Sequence, residues 1–195
     1  VRICSVCKDR IEEPVLTEGH TVNWTKQDLT SHMGECTICH DKLTVAHEWE
    51  DNFCEACNYK IPGSSGLYFS LSDSGKYYVC EGPGSCQDKE IIIPSYYNGL
   101  PVYEVKSFSL DGIESLIISD GIKTISGIGT RGDNYSLKSL TIGKDVETMY
   151  DYGFERCYVL EEIHFNAVDC ICYGPMNGGQ EAWSAFRWAG ADCDG

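Results

Sequence analysis

The chain has 195 residues and a mass of 21.7 kDa, enough for one ordinary domain or two small ones. Hydrophobic residues make up 42% of it and charged residues 23%, so the chain is globular, and no apolar run is long enough for a membrane-spanning helix. Its 30 Asp and Glu outnumber its 15 Lys and Arg, and the net charge of -15 repels phosphate backbones. The composition therefore predicts neither a nucleic-acid partner nor insertion into a membrane.

Twelve cysteines are the unusual feature of the composition. Six of them form three C-x-x-C pairs within the first 57 residues, whereas the other six follow no common spacing. This contrast predicts two different cysteine chemistries. The chain begins at Val1 without an initiator Met or an apolar signal region, so we interpret it as a processed or trimmed product that carries no signal peptide.

A Pro/Gly/Ser-rich stretch at residues 60–66 separates two regions of different character. Residues 1–60 hold four of the five His and half of the Cys but little apolar sequence. A segment this short needs a staple in order to fold, and we predict a small Cys/His-rich zinc-binding module here. Residues 61–195 are predicted to form a leucine-rich-repeat domain.

The pairs in residues 1–60 have the spacing of zinc knuckles, because two thiolates of one tight turn reach one ion at about 2.3 Å. The candidate metal ligands are Cys4, Cys7, His20, His32, Cys36, Cys39, His47, Cys54 and Cys57. His40 directly follows a knuckle and is expected to be solvated, while Trp24 and Trp49 are expected to shield the sites. Sites with four protein ligands are closed, so we predict two structural Zn²⁺ ions without a catalytic role.

Two partitions of these ligands remain open. The favoured one assigns Cys36, Cys39, Cys54 and Cys57 to one ion, and Cys4, Cys7, His20 and His32 to the other. The alternative groups His32, Cys36, Cys39 and His47, and it leaves the two outer C-x-x-C pairs to each other. Disulfides or thiols without metal are the remaining interpretations of the six cysteines.

Residues 67–90 are predicted to form a capping hairpin, whose strands and Asp/Gly turn lie at residues 67–80. The sequence then repeats every 23–24 residues over residues 91–165. The residues expected to form the buried layers are Leu116, Ile118, Leu140, Ile142, Leu160 and Ile163. Asn134 and Cys157 occupy one corner position of successive repeats. We predict a mainly β solenoid with short helical or 3-10 turns, in which residues 166–195 are an incomplete further repeat.

The segments "GLYFSLSDSGKYYVCEGPGSCQDKEIIIPSYYNGLPVYEV", "IESLIISDGIKTI" and "LKSLTIGKDVETM" resemble the BspA-like family of bacterial leucine-rich repeats, over residues 66–165. The segment "HTVNWTKQDLTSHMGECTICHDKLTVAHEWEDNFCEACNYK" is similar to short His/Cys repeats, resembling zinc-ribbon modules, of secreted bacterial proteins. The two resemblances imply an exported, surface-exposed binding protein.

Three smaller features complete the sequence-based predictions. Arg131-Gly132-Asp133 is an RGD tripeptide in a glycine-opened corner and a candidate binding loop. Disulfides are plausible between Cys80 and Cys86, which flank a turn, and between Cys193 and one of Cys170 and Cys172, with Cys172 as the candidate. No phosphate-binding loop, HExxH or G-x-S-x-G motif is present, so we do not expect an enzyme.

Two functions compete at this stage. The first is an exported, adhesin-like bacterial repeat protein that binds an extracellular or host-surface protein through its solenoid. The second is an intracellular zinc-ribbon adaptor or regulatory protein whose repeats bind a protein partner. A disulfide in the solenoid favours export, and reduced thiols favour the adaptor.

Overall fold

The structure is a computed structural model that describes residues 2–3, 10–11, 21–129, 133–150, 154 and 156–173. The chain divides into two compact units, Val1–Lys60 and Ile61–Gly195. The described residues form β-strands and no helix. Accordingly, no helix long and apolar enough to cross a membrane occurs among them.

Unit 1 consists of short antiparallel elements. Its strands are β1 (Arg2–Ile3), β2 (Arg10–Ile11), β3 (Val22–Lys26), β4 (Ser31–Cys36), β5 (Lys42–Ala46), β6 (Phe53–Cys54) and β7 (Tyr59–Lys60). β1 and β2 form one hairpin, β3, β4 and β5 form a three-stranded sheet, and β6 and β7 form a second hairpin.

One face of the three-stranded sheet is buried. Along β4, His32, Gly34 and Cys36 alternate with exposed neighbours, as the pleat of a strand requires. Gly34 leaves room for the β3 side chains, because a Cβ there would meet Val22 and would lie 2.5 Å from Cε3 of Trp24. The glycine thus lets the Trp24 ring lie across β4, beside His32.

Unit 2 is a parallel β-solenoid. Its strands are β8 (Tyr68–Leu71), β9 (Tyr78–Gly82), β10 (Glu90–Ile93), β11 (Tyr96–Tyr97), β12 (Leu100–Lys106), β13 (Ser115–Ile118), β14 (Thr124–Ser126), β15 (Ser139–Ile142), β16 (Thr148–Tyr150), β17 (Glu162–Phe165) and β18 (Ile171–Tyr173). One parallel sheet has the order β10-β13-β15-β17, and the other has the order β18-β16-β14-β12-β9-β8.

The chain alternates between these two sheets, and the solenoid has about four turns. The predicted capping hairpin is confirmed, since β8 pairs antiparallel with β9 before β9 joins β12 in parallel. Each turn stacks on the one before it, so unit 2 is mainly β and built from repeats, as predicted.

The core lies between the two sheets and follows the sequence period. Leu116 pairs with Leu140, and Leu140 pairs with Ile163, at the expected offsets. Burial is confirmed for Leu116, Ile118, Leu140, Ile142 and Leu160, each no more than 1% exposed. Ile163 is only partly buried, and it lies on β17, the end strand of this sheet among the described residues.

The corner assigned to Asn134 and Cys157 is confirmed as a buried position. The Asn134 side-chain amide donates to the carbonyl oxygen of Leu110, and its oxygen accepts the N–H groups of Ser136 and Leu137. Asn134 and Cys157 form a parallel bridge between consecutive turns. Cys157 is 1% exposed, and burial raises the pKa of its thiol to about 11.

The predicted helical or 3-10 turns are wrong for the part of the chain that the structure describes. A helical turn needs hydrogen bonds between residues three or four apart. Single bonds between residues three apart do occur at the corners, from Ile113 N–H to Leu110 O and from Leu160 N–H to Cys157 O, but they do not continue into a helix. Other corner amides bond across turns, as from Lys138 N–H to Glu114 O. The corners therefore form a ladder between repeats.

The predicted disulfides are not formed in the structure, where Cys80 and Cys172 are thiols. Cys80 points into the core beside Val105, is fully buried, and has its pKa raised to about 12 by burial. A thiol in this environment rarely ionises, and thiolate is the form that enters disulfide exchange. Cys193, the predicted partner of Cys172, lies outside the described residues.

Candidate metal centre

Four predicted ligands come together on the buried side of unit 1. They are His32, His47, Cys54 and Cys57, and their ligand atoms all lie within 4.8 Å of one another. Cys54 and Cys57 are thiols rather than a disulfide. Among the described residues, this is the group of His, Cys, Asp and Glu whose geometry can hold a metal ion.

The distances within the cluster match a tetrahedral ion. Nδ1 of His32 lies 3.2 Å from Nδ1 of His47, and each Nδ1 lies 3.6 Å from a cysteine Sγ, Cys54 for His32 and Cys57 for His47. Zinc–nitrogen bonds of about 2.0 Å and zinc–sulfur bonds of about 2.3 Å, at tetrahedral angles, separate two nitrogens by about 3.3 Å, a nitrogen and a sulfur by about 3.5 Å, and two sulfurs by about 3.8 Å. These three separations thus match coordination spacing, and the other pairs of ligand atoms lie within 4.8 Å of one another.

Three separate elements supply the ligands. His32 lies on β4 opposite Val45 of β5, and His47 follows directly after β5. This register places two residues that are 15 apart in sequence on adjoining positions. Cys54 ends β6 and Cys57 lies in the turn before β7, so the second hairpin provides both thiols.

A turn between β3 and β4 fixes the orientation of His47. The His47 Nε2 lies 3.0 Å from the backbone oxygen of Asp28, so Nε2–H donates to it and Nδ1 carries the lone pair. The Asp28 carboxylate accepts hydrogen bonds from Thr30 and Ser31, and these bonds lower its pKa to about 2. The sequence reasoning missed Asp28, although its D-x-T-S context is typical of an Asx turn.

Aromatic rings surround the two histidines. The Trp24 ring meets His32 edge-on at a centroid distance of 4.6 Å, and the Trp49 ring lies 4.5 Å from His47. Tyr59 lies farther out, 6.2 Å from His47. Both tryptophans therefore lie beside candidate ligands, and their rings limit access of water to the histidines, while shielding of a bound metal stays a prediction.

The electrostatics of the cluster suit a cation. Burial, together with the nearby His47, lowers the pKa of His32, so its imidazole is neutral and can coordinate. Burial raises the pKa of Cys54, but hydrogen bonds from His47, Cys57 and the backbone outweigh it, and the net pKa lies below its ordinary value. Burial and the neighbouring Cys54 raise the pKa of Cys57. A bound divalent cation would stabilise both thiolates.

All four positions of such a centre would be filled by protein atoms. His32 is 3% exposed, His47 8% and Cys54 0%. Catalytic metal sites keep a coordination position open for water or substrate, whereas closed four-ligand sites are structural. The arrangement can therefore fix the fold of unit 1, and it offers no place for a substrate to bind the ion.

The cluster of two histidines with Cys54 and Cys57 differs from both groupings of metal ligands that the sequence suggested. Cys36 and Cys39 lie at the β4–β5 turn and are not members of the cluster. Cys4, Cys7 and His20 lie outside the described residues. His40 is exposed and lies 3.2 Å from a carboxylate oxygen of Glu35, as expected for a solvated histidine.

The structure describes one residue of the RGD tripeptide. The Asp133 carboxylate lies 3.5 Å from Nη1 of Arg156 and accepts a 3.5 Å hydrogen bond from the Tyr158 hydroxyl. Arg131 and Gly132 lie outside the described residues, so a binding role for this loop stays a prediction.

Fold and site together define a two-part β protein. It combines a parallel β-solenoid with a small antiparallel module whose His/Cys cluster can hold a metal ion. No family model, no curated protein and no solved structure matches this chain.

Proposed function

We propose that this chain is a non-catalytic binding protein, exported by a bacterium to the cell surface or beyond, whose solenoid contacts an extracellular or host-surface protein. The observation that carries the proposal is the pair of parallel sheets in unit 2, whose outer faces continue from turn to turn. Such a surface is preformed, so binding requires little additional ordering of the backbone. The resemblance of residues 66–165 to BspA-like repeats supports export.

The charge of the solenoid defines the chemistry of the partner. Four lysines lie in ion pairs with acids of neighbouring turns: Lys89 and Lys138 with Glu114, Lys123 with Glu147, and Lys144 with Asp120. Lys138 and Lys89 lower the pKa of Glu114 to about 2. Since residues 61–195 carry 19 acids and 9 bases, a net negative potential remains. A basic or apolar protein surface complements it, and heparin or DNA does not.

Each outer face offers apolar side chains for such contacts. On one face Tyr150 and Tyr173 stack with their ring centroids 4.9 Å apart, and they are 41% and 38% exposed. On the other face Ile92 and Ile117 are each 36% exposed. Exposed aromatic and aliphatic groups on a rigid support are typical anchors of protein interfaces.

The test immobilises the zinc-bound chain and captures extracellular host and bacterial proteins. Tyr150→Ser and Ile117→Ser are matched variants on opposite faces, and we expect one of them to remove most of the binding and the other to retain it. Asp133→Glu tests the Arg131-Gly132-Asp133 loop in integrin-dependent cell attachment. Binding to heparin at physiological salt, capture unaffected by every variant, or substrate hydrolysis by the pure chain would contradict the proposal.

The intracellular adaptor is the second candidate, and it is favoured by one observation, the thiol state of the partly buried Cys172. Reduced solenoid cysteines are typical of a reducing compartment. Alkylation followed by mass spectrometry of the chain from its source cells separates the candidates. Disulfide-bonded solenoid cysteines in this sample support export, and fully alkylated solenoid cysteines support the adaptor.

For unit 1 we propose two structural zinc ions in a zinc-ribbon-like arrangement of knuckles. In the sequence, each of the three C-x-x-C pairs directly follows a residue of a described strand, Ile3, Glu35 or Phe53. The strand residue before the first Cys pairs with the residue seven positions later in each case: Ile3 with Arg10, Glu35 with Lys42, and Phe53 with Lys60. Equal register in equal hairpins supports equal chemistry for the three pairs.

The partition then follows by elimination. His32 and His47 complete the site of Cys54 and Cys57, which leaves Cys4, Cys7, Cys36 and Cys39 as four thiolates for a second closed site. Cys36 is 3% exposed, and its Sγ accepts the N–H of Ile38 at 3.5 Å, as a metal-bound thiolate in a knuckle does. His20 has no place in this assignment.

Native mass spectrometry tests the predicted number of zinc ions per chain. We expect two zinc ions in the purified chain and one in Cys36→Ser, with Cys170→Ser in the solenoid as the matched control that keeps both. Cobalt(II) substitution provides a second measurement, because thiolate-to-cobalt charge transfer should correspond to six thiolates over the two sites. A wild-type chain with one ion and two metal-bound thiolates would disprove the second site. This measurement does not depend on whether a variant folds.

A further inference from the structure

One layer of the solenoid core changes from aliphatic to sulfur-containing side chains toward β18. The register of the parallel strands aligns five core positions, in order Cys80, Val105, Ile125, Met149 and Cys172. Met149 is 1% exposed, and Cys172 packs against the same core. Since β16 and β18 are neighbours, a thioether residue and a thiol residue occupy adjoining positions on the inner face of their sheet.

Cys170 brings a second thiol to the same side of β18. Ile171 is 41% exposed and Tyr173 is 38% exposed, whereas Cys170 and Cys172 are half-buried and pack against the core. This alternation places the two cysteines on one face, as the pleat of a strand does for residues two apart. The two thiols hydrogen-bond to each other, and neither is in a disulfide. A pair of thiols in contact therefore lies next to the Met149 position.

The donor atoms of this group suit a soft, monovalent cation. Thiolate and thioether ligands favour Cu(I), whereas structural zinc takes four nitrogen or sulfur ligands and iron–sulfur clusters take four cysteine thiolates. In the part of the chain that the structure describes, no His, Asp, Glu or further Cys joins Cys170 and Cys172 in a set of three. Two thiolates and one thioether are thus too few for zinc and sufficient for Cu(I).

We propose that Cys170 and Cys172 form a Cu(I) site, with the thioether of Met149 as a third and weaker ligand. On binding, each thiol releases its proton to solvent and two copper–sulfur bonds form. The copper stays Cu(I) throughout, so the step consumes no oxidant or reductant. The site uses the inner end of the sheet rather than its outer face, which leaves the outer face to a protein partner.

The surroundings of the pair predict how its affinity depends on pH. Burial, together with the neighbouring Cys172, raises the pKa of Cys170 to about 12, and burial also raises the pKa of Cys172. Both thiols are therefore protonated at neutral pH, and the cation has to displace their protons. Because a metal that displaces protons binds more tightly when fewer are available, the Cu(I) affinity should increase as the pH rises.

Titration of the full zinc-bound chain with Cu(I), buffered by a Cu(I) chelator in the presence of a non-thiol reductant, tests the proposal. We expect one Cu(I) to bind per chain without release of zinc. Cys170→Ser and Cys172→Ser should each remove this binding. Met149→Leu conserves side-chain volume and should weaken binding by about 10- to 100-fold, as the loss of a supporting metal partner does. Cys157→Ala removes a solenoid thiol outside the pair and is the matched control that keeps the affinity.

Alkylation of the wild-type chain gives a second measurement that does not depend on how the variants fold. One equivalent of Cu(I) should protect Cys170 and Cys172 from iodoacetamide and leave the labelling of the half-buried Cys86 unchanged. The proposal would be overturned if both thiols stay reactive while copper displaces zinc, or if Cys172→Ser binds Cu(I) as tightly as the wild-type chain. Neither outcome depends on which protein the solenoid binds, so failure here is distinct from failure of the proposed function.

Discussion

Removal of zinc with a strong chelator is expected to unfold unit 1 while the solenoid stays folded. In residues 21–60 the buried positions are His32, Gly34, Cys36, His47, Asn52 and Cys54. No aliphatic side chain is among them, so the centre of this unit is the ligand cluster itself. Structural zinc contributes about 10 kcal/mol or more to comparable small modules, which exceeds what so small a core supplies.

The measurement is hydrogen exchange of β3, β4 and β5 together with the metal content before and after chelation. We expect protection in these strands to be lost with the metal and to return when zinc is added. The amides of β13 and β15 serve as the internal control, because their stability derives from the buried solenoid layers. Full protection of β4 in a chain freed of metal would contradict the metal-dependent fold.

The solenoid was predictable because its signal is repeated. Leu116, Leu140 and Ile163 recur at nearly constant offsets, and stacking turns must bring such residues into one layer. Asn134 was recognisable for a similar reason, since a corner needs a buried polar group for its backbone. The absence of helical turns was not predictable, because the sequence of a short polar corner does not show whether a bond between residues three apart continues into a helix.

The ligand types in unit 1 were predictable, but their partition was not. The three C-x-x-C pairs are alike in sequence, and nothing local distinguishes Cys36/Cys39 from Cys54/Cys57 as the partner of a histidine. Which ligands share a site depends on the register of β4 against β5, because this register places His32 opposite Val45 and therefore close to His47. Antiparallel register depends on packing of the whole sheet, including the passage of Trp24 over Gly34.

The predicted Cys80–Cys86 disulfide is absent from the structure for a related reason. Cys80 and Cys86 are close in sequence across a turn, which favours pairing on distance alone. The direction of the Cys80 side chain is decided by the alternation along β9, which turns it into the core. Sequence proximity gave no information on that direction.

Leu140→Ala is expected to lower the free energy of unfolding of the solenoid by about 2–5 kcal/mol. Leu140 is fully buried in the middle of its sheet, between Leu116 on one neighbouring strand and Ile163 on the other. Removing its side chain leaves a cavity that two adjacent turns must share. The relatively rigid stacking of parallel strands limits how far these turns can collapse into it, so the cost should be near that of a large-to-small change in a well-packed core.

The change in the free energy of unfolding is measured by urea denaturation, with hydrogen exchange of the β13 and β15 amides as the probe. These amides report on the solenoid separately from unit 1. Thr141→Ala is the matched control, since Thr141 is the next residue on the same strand and faces outward, and we expect it to change stability by no more than about 0.5 kcal/mol. If Leu140→Ala costs no more than Thr141→Ala, the period of 23–24 residues does not define the buried layers. A large cost for Leu140→Ala alone ties the sequence repeat directly to the stacked core of the solenoid.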